Sequence, residues 1–143
     1  MLPRGWTQVL TRTGGYALHA TLAIAEMEGN GRAVRATEIA RSLSIPANYL
    51  AKILHSLARA GVLASERGRN GGFRLARRPS EIRLIDVVEG FDDMGKQRRC
   101  LLGRGACSEV DGCRVHHEWL AASASTYRFF ETRTLADLMN GRR

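Results

Sequence analysis

Three cysteines, Cys100, Cys107 and Cys113, fall inside a single stretch, and His116 and His117 follow directly behind them. Six residues separate the first pair and five the second. Structural zinc sites use tighter cysteine pairs, two to four residues apart. Wider gaps, with Gly103, Gly105 and Gly112 between them, suit a chain that must curl around a larger object such as an iron–sulfur cluster. Three thiolates and a neutral imidazole around a formally dicationic cluster leave one net negative charge. Arg98, Arg99, Arg104 and Arg114 stand nearby to offset it and to favour the thiolates. An odd number of cysteines argues against a disulfide framework, and in a reducing compartment such clustering points to metal or redox chemistry. A zinc site and a thiol-based redox switch remain alternatives. His116 is the candidate fourth ligand, weighed against a plain helix-capping role.

A second constellation lies upstream. Ile39, Ala40 and Leu43 share one face in the segment ATEIARSLS, and Ser44-Ile45-Pro46 interrupts it. A second helix is predicted from about Pro46 to Ala60. Leu50, Ile53, Leu54 and Leu57 make its buried stripe, and Gly61 stops it at the position after the cap. Strands at 62–66 and 72–76 form a hairpin closed by Arg69-Asn70-Gly71-Gly72, where Asn-Gly predicts a tight turn with positive φ. Helix, turn, helix and hairpin in this order make a winged helix-turn-helix. Arg67, Arg69, Arg74, Arg77 and Arg78 face one acid, Glu66, in and beside that hairpin. An arginine-tipped ribbon can reach phosphates or a minor groove. Ala47, Asn48 and Tyr49 begin the second helix, the end that enters a major groove. Asn48 has the geometry to pair with adenine, while Lys52 and Arg59 suit phosphates, and Asn70 sits with Arg69 at the wing tip.

Other elements must carry these two sites. Residues 12–27 read as a helix, with Tyr16, Ala20, Ala23, Ile24 and Met27 on one stripe and His19 elsewhere on its surface. Gly29-Asn30-Gly31 ends it. Leu84 to Gly90 allows one or two further helical turns. Residues 92–113 have no apolar period and form a long, functional loop. A helix runs from about Arg114 to Phe130, with Val115, Trp119, Ala122, Thr126, Phe129 and Phe130 on one side. Thr134 to Asp137 resembles a capping box before a last turn.

The whole chain of 143 residues supports one core, and its 22 Lys+Arg against 14 Asp+Glu leave a charge of +8. Such a bias favours a polyanionic partner, chiefly nucleic acid. No stretch reaches the roughly 20 apolar residues of a membrane span. Residues 1–8 lack the apolar core of a secretory signal, so a cytoplasmic protein is expected. No nucleotide loop and no nucleophile–base pair is legible, so an enzyme is not expected. Part of the basic excess lies at Lys96, Arg98, Arg99 and Arg104, beside the thiols rather than in the wing.

From Leu10 onward the sequence resembles the IscR/NsrR/RirA family of bacterial winged-helix regulators. The matching stretches are LTRTGGYALHATLAIA, EIARSLSIPANYLAKIL, LARAGVLASERGRNGGFRLARRPSEIRLIDVVEG, the cysteines with CRVHHEW, and FFETRTLADL. The resemblance implies a homodimer built by crossing the long C-terminal helices, a cluster near that interface, and DNA binding that depends on cluster state. It implies Cys100, Cys107 and Cys113 as cluster ligands. His116 matches the histidine of the 2Fe–2S cluster in IscR-like members, and Arg67 matches a DNA-contacting arginine. In NsrR-like members a first-helix carboxylate completes a 4Fe–4S cluster, and Gly15 stands at that position here. His19 matches a ligand position of a few unusual relatives and is the alternative to His116.

The expectation is therefore a mostly α protein with a small β wing. Residues 1–91 would form the first helix and the winged DNA-binding region, 92–113 the cluster loop, and 114–143 the dimerisation helix and tail. It would be a cytoplasmic, homodimeric regulator of double-stranded DNA with a palindromic operator. A 2Fe–2S cluster, or alternatively a 4Fe–4S cluster, would sense iron, redox state or nitric oxide; a cluster-free thiol or zinc regulator is the alternative.

Overall fold

The computed structural model describes residues 9–27, 32–92 and 114–139. All three cysteines, residues 1–8 and the Gly29–Gly31 break lie outside the described residues. Helix α1 spans Arg12–Met27, α2 Ala36–Leu43, α3 Ala47–Arg59, strand β1 Leu63–Glu66 and β2 Gly72–Leu75. After a single 3-10 turn at Pro79–Glu81 come α4, Leu84–Val88, α5, His116–Thr132, and α6, Leu135–Met139. The mostly helical architecture with one small sheet is as expected from the sequence.

Each boundary has a local cause. Ser44, with φ of 54°, ends α2 in the left-handed region that glycine usually occupies. The N–H of Ile45 then reaches the carbonyl of Ala40 at 3.0 Å. The chain is thereby turned sharply into α3, whose first residue follows Pro46. At the other end of α3, Gly61 at φ of 80° lets its own N–H bond the carbonyl of Ala58 and that of Val62 bond Leu57, at 3.1 and 3.0 Å. This paired closure of a helix needs the positive φ that glycine adopts without steric cost.

The core lies between α1, α2, α3, the wing and α4. Ile24, Ile39, Leu50, Leu54, Leu57, Val62, Leu84 and Val88 are fully buried there. Each such side chain contributes roughly 1.5–3 kcal/mol relative to exposure. The α3 stripe read from the sequence is therefore the face that packs. On α1 the buried apolar side chains are Ala17, Ala20, Ala23, Ile24 and Ala25, while Met27 of the expected stripe stands exposed. Thr21, also buried, returns its hydroxyl to the carbonyl of Ala17 at 2.7 Å, so burial costs it no hydrogen bond.

One expectation is corrected. The wing tip lies between the expected strands, but its positive φ does not fall on Asn70 or Gly71. Strands β1 and β2 pair antiparallel from Leu63↔Leu75 to Glu66↔Gly72, leaving a five-residue tip, Arg67 to Gly71. The tip turns through Gly68, whose carbonyl accepts from the Gly71 N–H at 3.0 Å, and positive φ falls on Gly68 and Gly72 rather than on Asn70. A Cβ at Gly72 would strike the backbone of Val34. That glycine therefore admits Val34 beside β2, where Val34 and Phe73 exchange two backbone bonds of 2.8 and 2.7 Å.

Helix α5, expected as the dimerisation helix, is mostly exposed on the protomer. Its stripe is largely uncovered: only His116 and Phe130 of this helix are buried, whereas Val115 is 41% and Phe129 49% exposed. Among the described residues, α4 is the main packing partner of this 17-residue helix. The chain then returns. Thr134 bridges Arg83, and Leu135, fully buried, donates its N–H to the carbonyl of Ile82 at 2.8 Å.

Candidate nucleic-acid interface and metal centre

Helix α3 presents Ala47, Asn48, Lys52 and Arg59 to solvent, on the sides away from Leu50, Ile53, Leu54 and Leu57. Its first turn is open, so the side chains that could read a groove edge protrude from the end that enters it. Arg67, Arg69 and Asn70 are exposed at the wing tip. The helix and the wing are also held to each other. The His55 ring of α3 meets Phe73 of β2 edge-on at 5.4 Å between centroids. The structure thus brings the predicted recognition helix and the predicted wing onto one packed unit.

Two of the expected DNA-facing residues have partners within the chain. Arg74 pairs with Glu66 diagonally across the hairpin at 2.6 Å, so its charge is partly met before any phosphate arrives. Tyr49 is only 36% exposed. Its hydroxyl shares a 2.5 Å hydrogen bond with Thr13 of α1, and its ring meets Tyr16 edge-on at 5.9 Å. Sequence reasoning also missed Arg35. Its guanidinium donates to the backbone carbonyl of Arg69, tying the wing tip to the start of α2. No periodicity marks Arg35, Thr13 or Tyr16 for these roles, because each contact joins segments distant in sequence.

Helix α1 is anchored at its start by a remote residue. The Asp92 carboxylate accepts from both the N–H and the hydroxyl of Thr11, at 2.8 and 2.9 Å, and the Thr11 hydroxyl oxygen in turn accepts from the Gly14 N–H at 3.1 Å. A negative group at a helix N-terminus is favoured by the helix dipole. A Cβ on Gly14 would collide with that carboxylate, whereas Gly15 faces open space.

Of the candidate metal ligands, only the histidines are described. His116 heads α5, is 5% exposed, and stacks edge-on against His117 at 5.2 Å; His117 itself is exposed. His19 is exposed on α1. A buried imidazole three residues after Cys113 is compatible with a soft, thiolate-rich donor set. Among the described residues no cluster of three or more metal-ligating side chains occurs, since the thiols lie outside them. No helix among the described residues is long and apolar enough to cross a membrane.

A helix pair, a basic wing and a long C-terminal helix define a winged-helix transcriptional regulator. Residues 10–141 match the model of the Rrf2 family, described as an iron-dependent transcriptional regulator. The chain belongs to that family. It is 39% identical over 125 residues to an HTH-type regulator sequence of Aquifex aeolicus, covering 85% of this chain and 87% of that one. It is 32% identical to the HTH-type transcriptional regulator NsrR of Geobacillus kaustophilus, covering 93% and 90%. To IscR of Cronobacter sakazakii it is 31% identical, covering 92% and 80%. In fold it matches T. potens IscR with a TM-score of 0.71 at 24% identity, covering 95% and 88%. It also matches the oxidised form of Staphylococcus aureus CymR with a TM-score of 0.74 at 21% identity, covering 95% and 99%. These relatives are transcriptional regulators, not enzymes.

Proposed function

We propose that this protein is a cytoplasmic, homodimeric regulator whose DNA binding is set by an iron–sulfur cluster, 2Fe–2S in preference to 4Fe–4S. The observation that carries the reading is the buried His116 at the head of α5, adjoining a segment with three cysteines, in a chain whose recognition helix and wing stand open to DNA. Cys100, Cys107, Cys113 and His116 would hold the cluster, with exposed His19 the less suited alternative. When bound, such a group supplies a redox- and iron-responsive tether across residues 100–116. Gly15, with no side chain and open space before it, argues against a carboxylate-completed site on α1.

The chain's own residues supply the rest. Asn48 and Ala47 would meet base edges, Lys52, Arg59, Arg67 and Arg69 would meet phosphates or a minor groove, and Asn70 would follow at the wing tip. Arg74 contributes less, being paired with Glu66. The uncovered stripe of Val115 and, on α5, Phe129 would pack on a second copy, and a two-fold dimer requires a palindromic operator. Iron, redox state or nitric oxide would be the signal.

Anaerobic purification followed by absorbance, iron and sulfide analysis tests the reading. Brown protein with matching iron and sulfide is expected, and Cys107→Ala should be colourless. Colourless wild-type protein that regulates through reversible thiol oxidation, or that carries zinc, would replace the cluster with a thiol or zinc switch.

A further inference from the structure

The contacts of Tyr49 set it apart from the other residues of the recognition-helix N-terminus. Asn48 and Ala47 are open, but Tyr49 turns its hydroxyl to Thr13 and its ring edge-on to Tyr16, one helical turn apart on α1. Two residues before Thr13, Thr11 is held by Asp92 through two hydrogen bonds. Asp92 is itself tied to the end of α4, its N–H donating to the carbonyl of Val88 at 2.8 Å. Along the chain it stands eight residues ahead of Cys100. A continuous line of contacts therefore runs from the edge of the cysteine-bearing stretch, through the first turn of α1, to the first turn of α3.

We propose that Tyr49 is a positioning residue rather than a base-reading one: through Thr13 and Tyr16 it makes the placement of the recognition-helix N-terminus depend on whether Asp92 holds Thr11. The inference deepens the regulatory reading and rests on it for the signal, since the segment beyond Asp92 is where that signal would act. The physical case is one of leverage. The first turn of α3 has few other attachments, because Ala47 and Asn48 face solvent and only Leu50 is buried. Alongside the anchored Leu50, the Tyr49 contacts decide how that end sits. At the other end, the Asp92 carboxylate joins α1 to α4 at the point where the chain departs toward the cysteines. Coupling between sites needs an element that both ends bias, and α1's first turn is touched from both sides. A hydrogen bond of this kind is worth a modest amount, about two- to tenfold in an equilibrium, which is enough to tune an operator but not to build the fold.

Two conservative variants isolate the contacts. Tyr49→Phe keeps the ring on Tyr16 and removes only the hydroxyl, and Asp92→Asn keeps the shape and removes the charge. The probe is a duplex selected by the wild-type protein from a random-sequence pool. Its affinity is measured by anisotropy for iron–sulfur-reconstituted and for chelated, metal-free protein. Each variant is expected to move the ratio of the two affinities toward one by about three- to tenfold, and the double variant no further than either single one, as contacts in series require. A ratio that Tyr49→Phe leaves unchanged, or a simple loss of affinity equal in both states, would overturn the proposal and assign Tyr49 to DNA contact. A wild-type ratio of one would instead overturn the cluster-controlled reading.

Hydrogen exchange of the metal-free protein decides the mechanical link without cluster or DNA. Asp92→Asn is expected to speed exchange in the first turns of both α1 and α3, although the Asp92 carboxylate bonds the head of α1 and, among the described residues, makes no hydrogen bond to α3. In a Tyr49→Phe background the effect of Asp92→Asn on α3 should vanish while that on α1 remains. Faster exchange confined to α1, or spread evenly over the whole protein, would reduce Asp92 to a local cap or a global stabiliser and sink the link.

Discussion

Asp92 caps a helix from 81 residues along the chain: its two carboxylate oxygens hold the N–H and the hydroxyl of Thr11, just ahead of α1, at 2.8 and 2.9 Å. The same contact explains a glycine. Gly14 lies under the carboxylate, and any Cβ there would push it away. The twin glycines at the head of α1 therefore have different reasons, one steric and one not.

That difference is measurable. Gly15→Ala should stabilise the protein by about 0.5–1 kcal/mol, because alanine is the better helix former and meets nothing. Gly14→Ala should destabilise it by roughly 1–2 kcal/mol, the two lost hydrogen bonds outweighing the propensity gain. Urea titrations of both variants check this. In an Asp92→Ala background the penalty for Gly14→Ala should disappear, and a penalty that persists there would show that Asp92 is not its cause.

The two wing arginines should behave unlike each other. Arg67→Ala is expected to weaken DNA binding and lower the slope of log affinity against log salt by about 0.9, the loss of one phosphate contact. Arg74→Ala should change that slope by less, since Glu66 already faces its charge at 2.6 Å. Anisotropy at four or five potassium chloride concentrations gives both slopes, and equal slopes would contradict the internal pairing.

Acid should loosen the C-terminal helix through Asp137. The Thr134 backbone N–H, at 2.9 Å, holds the Asp137 carboxyl below the usual carboxylate range, against a smaller opposing effect of desolvation; the Thr134 hydroxyl and the Arg133 charge add to the lowering. A lowered pKa in the folded state means a stabilising contribution that is complete above the ordinary value near pH 4 and is lost as pH falls through the folded one. Wild type and Asp137→Asn should therefore differ in Tm at pH 7 and converge at about pH 2. A gap that stays constant with pH would assign the effect to something other than the carboxylate.

Phe129 tests the open face of α5. At 49% exposure it contributes little to the protomer, so Phe129→Ser should leave helix content by circular dichroism unchanged. Sedimentation velocity should show the variant shifted from dimer toward monomer. An unchanged dimer would place the self-association surface elsewhere.

Much of the architecture was legible because local rules sufficed. The α3 stripe of Leu50, Ile53, Leu54 and Leu57 has the 3.6-residue period of a buried face, and Gly61 stands where a helix closure needs positive φ. Thr134 and Asp137 meet as a cap, although the hydroxyl donates to the carboxylate instead of receiving from the backbone. The hairpin turn was misjudged, since Asn-Gly predicts local geometry while the close approach of Val34 to Gly72 and Phe73 helps set the real one. The α5 stripe was legible from its spacing, which says that a face wants a partner without saying which molecule supplies it.

By itself, then, the sequence determined the helices, the wing, the basic tip and the thiol-rich stretch, all of which follow from spacing along the chain. Tertiary structure alone decided that Tyr49 faces α1, that Arg74 spends its charge on Glu66, that Arg35 reaches the wing tip, and that Asp92 caps Thr11. Those are contacts of polar side chains with side-chain or backbone partners, several of them far apart in sequence. They carry no periodic signature, and each exists only once the packing of apolar faces has brought its two partners within hydrogen-bonding distance.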